Sequence, residues 1–373
     1  MHFSYWEYKQ WFQHVDYTVV GSGIVGLSTA LAIKEAQPSA SILILEKGNL
    51  PEGASTKNAG FACFGSVSEL LMDLDTHSEE ELIELVKRRY NGINALRAMF
   101  GDDAIGFKQL GGHEVFLKKD KDLFERCKDK IAYLNTLFHE VFVQEAFSLT
   151  PNKFGFSGIE DHYITHSLEG QLDTGKLMQA LLKKAHKSGI KIINGLKVLG
   201  FDAIENQVSV QLENFDFKTK KLLITNNGFA KQLTEQAVEP ARAQVLITKP
   251  IKNLQIKGTF HLDAGYYYFR NIDNRILLGG GRNLDFEGES TTQLGNTEQI
   301  ISKLKMLLHQ TILSNTPFEV DYTWSGIMGV GPRKKPIIKE LTKNVFCGVR
   351  LGGMGIAIGA AVGQDLANKV LRT

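Results

Sequence analysis

The sequence predicts an α/β fold: a Rossmann-like dinucleotide-binding domain with a second, smaller α+β domain. Three observations lead there. Near the N-terminus an apolar strand, a glycine cluster and an apolar helix precede a second apolar strand, a β-α-β pattern whose strands run parallel with a right-handed crossover. Later the hydrophobic period changes from helical to alternating, which gives several short strands separated by turn residues. Toward the C-terminus strand, glycine cluster and helix return, so the first domain is built from segments far apart in the chain.

Residues 16–20 make the first strand, Gly21, Gly23 and Gly26 the turn, and residues 27–34 continue at helical spacing until Pro38. Residues 42–45 form the second strand, ending at Glu46. The spacing predicts an amphipathic helix over residues 78–100, opened by a capping box of Ser78 and Glu81 and buried through Leu82, Ile83, Val86, Ile93, Leu96 and Met99. Its charged face, Glu79 through Arg89, is expected in solvent. A strand over 112–118, a helix over 121–138 and a helix over 172–188 with Asp173 as N-cap follow. Three strands come next, 197–203, 207–213 (Val208, Val210 and Leu212 alternating) and 217–225, stopping at Asn226-Asn227-Gly228. Strands at 244–248, 265–270 and 275–280, the last two joined by a turn over 271–274, precede the strand, glycine cluster and helix of 345–370.

With 43% hydrophobic and 23% charged residues among 373, the composition is that of a globular protein and excludes a disordered or fibrous chain. Forty-three basic against 41 acidic residues leave a net charge of +2, too little for a broad nucleic-acid or anionic-membrane footprint, so a small-molecule partner is expected. Cys63, Cys127 and Cys347 form neither a disulfide framework nor a CxxC pair, and the opening MHFSYWEYKQWFQHVDY has no signal-peptide pattern; a cytoplasmic location is expected. The longest uncharged stretch, residues 17–33, falls short of a bilayer span and holds the turn glycines, so no transmembrane segment is expected.

Gly21-Ser22-Gly23-Ile24-Val25-Gly26 is a GxGxxG between strand and helix, and its glycines serve separate purposes. Gly21 makes the tight turn, Gly23 allows close approach to a pyrophosphate, and Gly26 allows close packing of helix on strand. The pyrophosphate then meets the free N–H groups around Ile24 and Val25 at the helix N-terminus, while Glu46, with Lys47 beside it, is placed to meet a ribose 2′-OH. NAD and FAD share this fingerprint. His162 and His166 have i,i+4 spacing but sit in a strand-like run that would not converge their rings, so no metal site is expected. Hydrolase chemistry finds no nucleophile elbow and no Cys/His pair in context.

Eight residues beyond Glu46 stands Ala54-Ser55-Thr56-Lys57-Asn58-Ala59-Gly60-Phe61, and later come Gly170-Gln171-Leu172-Asp173 and the strand of residues 223–229. Tyr266-Tyr267-Tyr268-Phe269-Arg270 with Arg275-Ile276-Leu277-Leu278-Gly279-Gly280-Gly281, then Trp324-Ser325-Gly326 followed by Pro336, then Leu351-Gly352-Gly353-Met354-Gly355-Ile356 complete the set. Six segments in this order resemble the D-amino-acid-oxidase superfamily of flavoproteins, which includes glycine oxidase, sarcosine oxidase and the gamma-glutamylputrescine oxidase group. The resemblance implies FAD, contacted by Ala54, Ser55 and residues 57–61 (Lys57, Asn58, Ala59, Gly60, Phe61), by Val198 at the adenine, by Gly228, and by Gly352, Gly353, Met354, Gly355 and Ile356 around the flavin pyrimidine end. Residues 1–85, 150–235 and 320–373 would form the FAD domain, and 86–149 with 236–319 the substrate domain.

This chain also departs from the family pattern. Met328 stands where glycine oxidase has a carboxylate-binding arginine, Arg333 where an aspartate is usual, and Leu277 where sarcosine oxidase has a lysine that promotes reaction with oxygen; slow reoxidation by oxygen is therefore expected. No cysteine lies between Gly326 and Pro336, so FAD is expected to bind non-covalently. By strand alternation Tyr266, Tyr268 and Arg270 share one face and Tyr267 and Phe269 the other. Family register puts Tyr267 nearest the substrate, with Arg270, Arg350 and Arg282 as candidate anion ligands. The implied reaction is oxidation of a C–N bond in a small amine or amino acid, with hydride passing to flavin N5 and no side chain singled out as acid or base. The other class is a flavoprotein that acts on a macromolecule, or binds FAD as a non-catalytic redox or structural partner.

Overall fold

The computed structural model, which describes residues 3–373, organises its first sheet around the strand Val15–Val20. Met1 and His2, at the head of the stretch read as lacking a signal peptide, lie outside the described residues. Val15–Val20 pairs in parallel with Ile42–Glu46 on one side and Asp216–Ile224 on the other. Unbroken apolar strands need cover on both faces. Ile42 and Ile44 pack under helices Ile24–Ala36 and Gly355–Leu371, while Leu43 and Leu45 face Val198, Val208 and Val210 of the meander. Across the sheet the order is Ile337–Thr342, Val345–Val349, Asp216–Ile224, Val15–Val20, Ile42–Glu46, Lys191–Asn194; Gln207–Leu212 pairs antiparallel with Asp216–Ile224 and Val198–Ile204 pairs antiparallel with Gln207–Leu212.

A second eight-stranded sheet runs Val320–Val330, Glu239–Thr248, Arg275–Gly280, Tyr267–Ile272, Thr259–Leu262, Gly112–Val115, His162–His166, Phe147–Pro151. Its pairs are antiparallel except that between Gly112–Val115 and Thr259–Leu262. Its core holds the stacked Phe260 and Phe269 with Tyr163, Leu246 and Ile300. The predicted hairpin turn is shorter than four residues: strands run to Ile272 and resume at Arg275, and Asp273 and Asn274 take φ of 47° and 57°, the primed-turn geometry that suits strand twist.

The elements divide differently from the expected boundaries. Helix Glu79–Phe100, capped by Ser78 and Glu81 as its sequence predicts, runs straight through the 85/86 boundary. It lies against Gly355–Leu371, so closely that a Cβ on Gly92 would sit 2.0 Å from the Ala357 carbonyl oxygen. His162–His166 and Val320–Val330, expected with the FAD domain, are strands of the second sheet. Arg89 is not on a solvated face: it is buried, donates to the Phe64 carbonyl and lies 3.9 Å from Asp73. The helix expected over 121–138 breaks at Lys130, whose N–H bonds the Cys127 carbonyl three residues back; Lys121–Asp129 and Ile131–Leu137 are separate helices. The strand from Gly112 ends at Val115, and Lys118–Asp120 turns as a 3-10 helix.

The strand Gly112–Val115 carries buried polar groups, one of them met by the helix Val67–Leu74. Glu114 accepts hydrogen bonds from the Ser68 N–H (3.1 Å) and hydroxyl, and burial pushes its carboxyl up to about 7. Between the ordinary carboxyl value and 7 the native state holds a proton that the unfolded chain has released, so this group's contribution to stability falls as pH rises through that window and is lowest above it. Burial lowers the neighbouring His113 to about 4, which acts in the opposite sense below its ordinary value. Substituting Glu114→Gln keeps the shape and removes one titration. Denaturant unfolding should show the variant gaining on wild type as pH goes from 5 to 8; a pH-independent difference would contradict the assignment.

Candidate active site

A cavity of about 390 Å³ opens between the sheets, within the usual range for small-ligand sites. Its first wall is the end of Val15–Val20. Gly21 turns the chain with φ of 100°, and Gly21, Gly23, Ile24 and Val25 line the cavity where the helix Ile24–Ala36 begins. The first N–H groups of a helix have no intrahelical partner. One of them, Ile24 N–H, donates to the Ser55 hydroxyl at 3.0 Å, and a Cβ on Gly23 would stand 2.8 Å from that oxygen. Gly26 faces away from the cavity; its Cβ would lie 2.1 Å from the Gly21 carbonyl oxygen, so its absence is what lets helix meet strand.

Glu46, Lys47, Leu196, Lys197, Val198 and Phe229 form one end. Buried Glu46 is fixed by the Ser22 N–H (3.0 Å) and hydroxyl (2.9 Å) on Oε2 and by the Gly48 N–H on Oε1. Lys47 stacks its ammonium 3.5 Å above the Phe229 ring, and burial lowers its pKa. Gly228 does not reach the cavity: a Cβ there would meet the Met328 carbonyl oxygen at 2.6 Å, so this glycine lets the turn pack on the strand Val320–Val330, while Asn227 and Phe229 line the wall.

At the other end Ala54, Ser55, Lys57, Asn58, Ala59, Gly60 and Phe61 form a continuous wall. Asn58 pins it: its amide donates to the carbonyls of Ala54 and Ser55, and its Oδ1 accepts from Gly60 N–H and the Thr174 hydroxyl, both at 2.8 Å. Trp324 Nε1 donates to the Lys57 carbonyl at 2.9 Å and ties in the second sheet. Opposite stand Met328 and the stretch Gly352, Gly353, Met354, Gly355, Ile356, the N-terminus of a 17-residue helix. That helix end favours negative charge.

Beyond this wall a chamber is lined by Phe61, Cys63, Glu69, His261, Tyr266, Tyr268 and Arg282. Tyr267, expected nearest the substrate, is instead in the core of the second sheet with Phe260 and Ile300. Alternation placed Tyr266 and Tyr268 together correctly; the family register was off by one, which turns every side chain to the other face. Arg350 also leaves the site, its guanidinium donating to the Lys335 carbonyl (3.0 and 2.9 Å) and the Ala237 carbonyl. Arg270 is buried behind Gly60, off the cavity surface. Arg282 remains, stacked 5.0 Å over Phe286 and without an ion pair among the described residues.

Glu69 and His261 escaped the sequence analysis. Ser66 and Glu69 form a capping box for the helix Val67–Leu74, a pattern that marks a helix start and says nothing of a cavity. In space Glu69 Oε2 lies 4.0 Å from His261 Nδ1, and the His261 ring meets Phe61 edge-on at 5.3 Å. Burial raises the Glu69 pKa, but His261, Lys334 and the Ser66 hydroxyl together outweigh it and hold it below its ordinary value, so the group is a carboxylate. Cys63, Glu169 and His261 bring ligand atoms within 4.8 Å of one another, a grouping the sequence did not foresee. Burial and the Glu169 charge push the Cys63 thiol well up, Glu169 Oε1 already accepts from the Phe64 and Gly65 amides, and a protonated thiol is a poor metal ligand.

Comparison with known proteins agrees with this architecture. The profile of the family described as FAD dependent oxidoreductase, DAO, matches residues 16–369, and the chain belongs to that family. It is similar to the probable oxidoreductase OrdL of Haemophilus influenzae, 19% identical over 96% of this chain and 83% of the relative. In fold it is similar to L-proline dehydrogenase from P. horikoshii (TM-score 0.76, 18% identity, covering 96% of this chain and 94% of that one). Glycine oxidase from Bacillus cereus gives a TM-score of 0.77 at 16% identity, covering 96% and 97%. The protein is thus an FAD-dependent oxidoreductase, and the glycine cradle at the helix start, which any Cβ at Gly23 would obstruct, fits the dinucleotide. No helix among the described residues is long and apolar enough to cross a membrane.

Cys63 is the one cysteine on the cavity wall, and its thiol is held protonated, a poor nucleophile. Acid precipitation should therefore leave all the yellow colour in the supernatant; flavin retained on the precipitated chain would point to Cys63.

Proposed function

We propose that the protein oxidises the C–N bond of a small amino acid or amine. The observation that carries this reading is the chamber beyond the Ala54 to Phe61 wall, lined among aromatic side chains by Glu69, which packs on Gly265, and by Arg282, which stacks on the Phe286 ring that Tyr266 meets edge-on. Glu46 and Lys47 would hold the ribose and adenine and the helix start at Gly23 the pyrophosphate, which would leave the chamber end for the isoalloxazine. FAD, when bound, supplies the hydride acceptor at N5. Glu69 holds and orients a substrate nitrogen through N–H donation to its carboxylate, and Arg282 takes a substrate carboxylate. Phe61, Tyr268 and Met328 give apolar walls that exclude water and fix the C–H bond, and orientation of this kind accounts for a large part of such a barrier. The N–H groups at the start of Gly355–Leu371 would hold the electron-rich end of the flavin ring and, being fixed dipoles, favour negative charge there without reorganisation. The imine released is hydrolysed by water.

The names of the similar structures, glycine oxidase and L-proline dehydrogenase, support the same class of chemistry. Met328 offers no charge, so a carboxylate pressed on it would lose hydration without compensation; Arg282 gives that anion its place. An anaerobic screen of amines and of D- and L-amino acids for bleaching of the flavin absorbance tests the reading. No bleaching across the panel would overturn it in favour of a flavoprotein that does not turn over small amines. For a substrate with a carboxylate, Arg282→Ala should raise KM about tenfold to a hundredfold, the worth of a charge-assisted hydrogen bond of roughly 1.5–3 kcal/mol, while a simple amine should be unaffected.

A further inference from the structure

Arg270 carries a charge that its surroundings leave unanswered. It is 2% exposed, makes no ion pair or hydrogen bond with any described residue, and its Nε has neither partner nor solvent. Asp173 and Asp273, whose charges act on it, make no ion pair with it, and Asp173 Oδ1 caps the helix Thr174–Lys187 by accepting from Lys176 N–H at 2.9 Å. Burial brings the guanidinium down to about 10, which leaves it a cation at neutral pH. A buried cation without a partner is strongly disfavoured unless another charge meets it. Its position shows where that charge belongs. Nη2 lies 2.9 Å and Cζ 3.1 Å from the point where a Cβ of Gly60 would stand, and Gly60, with φ of 72°, is part of the wall at the isoalloxazine end. A side chain there would push the cation back from the wall. Directly across the hairpin from Arg270 is Leu277, packed with Ala59 and Val245 and offering no charge of its own.

We infer that Arg270, held behind Gly60, is the fixed counter-charge for the negative charge that the flavin gains on two-electron reduction, and so sets the flavin potential as a positioning residue that does not touch substrate. This rests on the placement of the isoalloxazine at the chamber end proposed above, and holds whatever the substrate is. The test compares wild-type, Arg270→Lys, Arg270→Gln and Arg270→Met holoenzymes by midpoint potential, from equilibration with a reference dye, and by the dissociation constant for sulfite, which adds to oxidised flavin and leaves negative charge on the ring. In Arg270→Met the reduced state should lose about tenfold to a hundredfold in relative stability, a fall of about 30–60 mV for a two-electron couple. Sulfite should weaken by a similar factor, Arg270→Lys should keep most of both, and adding Leu277→Lys to Arg270→Met should recover part of the loss from the opposite strand. Wild-type potential and sulfite affinity in Arg270→Met would overturn the inference. Should that variant fail to fold or hold FAD, the potential of Arg270→Gln decides in the same way, an unchanged value overturning it.

Discussion

Everything in the site depends on how closely the helix Ile24–Ala36 can approach the strand before it. The missing Cβ of Gly26 leaves room for the Gly21 carbonyl and for the Thr225 hydroxyl, which itself donates to the Val20 carbonyl at 2.8 Å. That contact joins the first strand, the first helix and the end of Asp216–Ile224 at one point. It aims the helix N-terminus into the cavity and brings the turn at Asn226 and Asn227 to the same rim. A bulkier residue would lift the helix and move the anion site with it, because interiors packed at crystal density transmit such displacements.

The charges follow a consistent division. Groups on the cavity wall that face ligand are fixed by short local bonds: Glu46 by Ser22 and Gly48, Glu69 by Ser66, Asn58 by its own loop. Charges in deeper layers are held by the fold at large, as with Arg89 against the Phe64 carbonyl and Arg242 against the fully buried Glu289 at 2.7 Å. Fixing donors and acceptors before the ligand arrives removes their reorganisation from the cost of binding and reaction.

The glycine turn, the capped helix at Ser78, the meander and the C-terminal strand and helix were legible because each is specified by residues close in sequence: a turn residue, a cap, a two-residue alternation. Gly228, Tyr267 and Arg350 were misplaced for related reasons. Gly228 meets Met328, a hundred residues on, Arg350 turns to the carbonyls of Lys335 and Ala237, and Tyr267 depends on a register in which one residue decides the face. Arg89 was read from its own helix, whereas its burial is decided by the loop at Phe64. Glu69 and His261 could not be paired from sequence, since one is a helix cap and the other a strand residue, and they meet through tertiary packing that also sets Gly265 against Glu69.

Asp216–Ile224 is shared: it closes the meander and fills the place beside Val15–Val20. On a ribosome the N-terminal β-α-β unit emerges with that edge open and must wait for about two hundred residues of synthesis before its neighbour exists. Val345–Val349 then joins on the far side only when the chain is almost finished. Pairings this distant in sequence are slow to form and leave strand edges unsatisfied meanwhile. The nascent protein therefore passes through a long interval with a sticky, half-made sheet, and its yield in a cell is tied to how well that edge is shielded during translation.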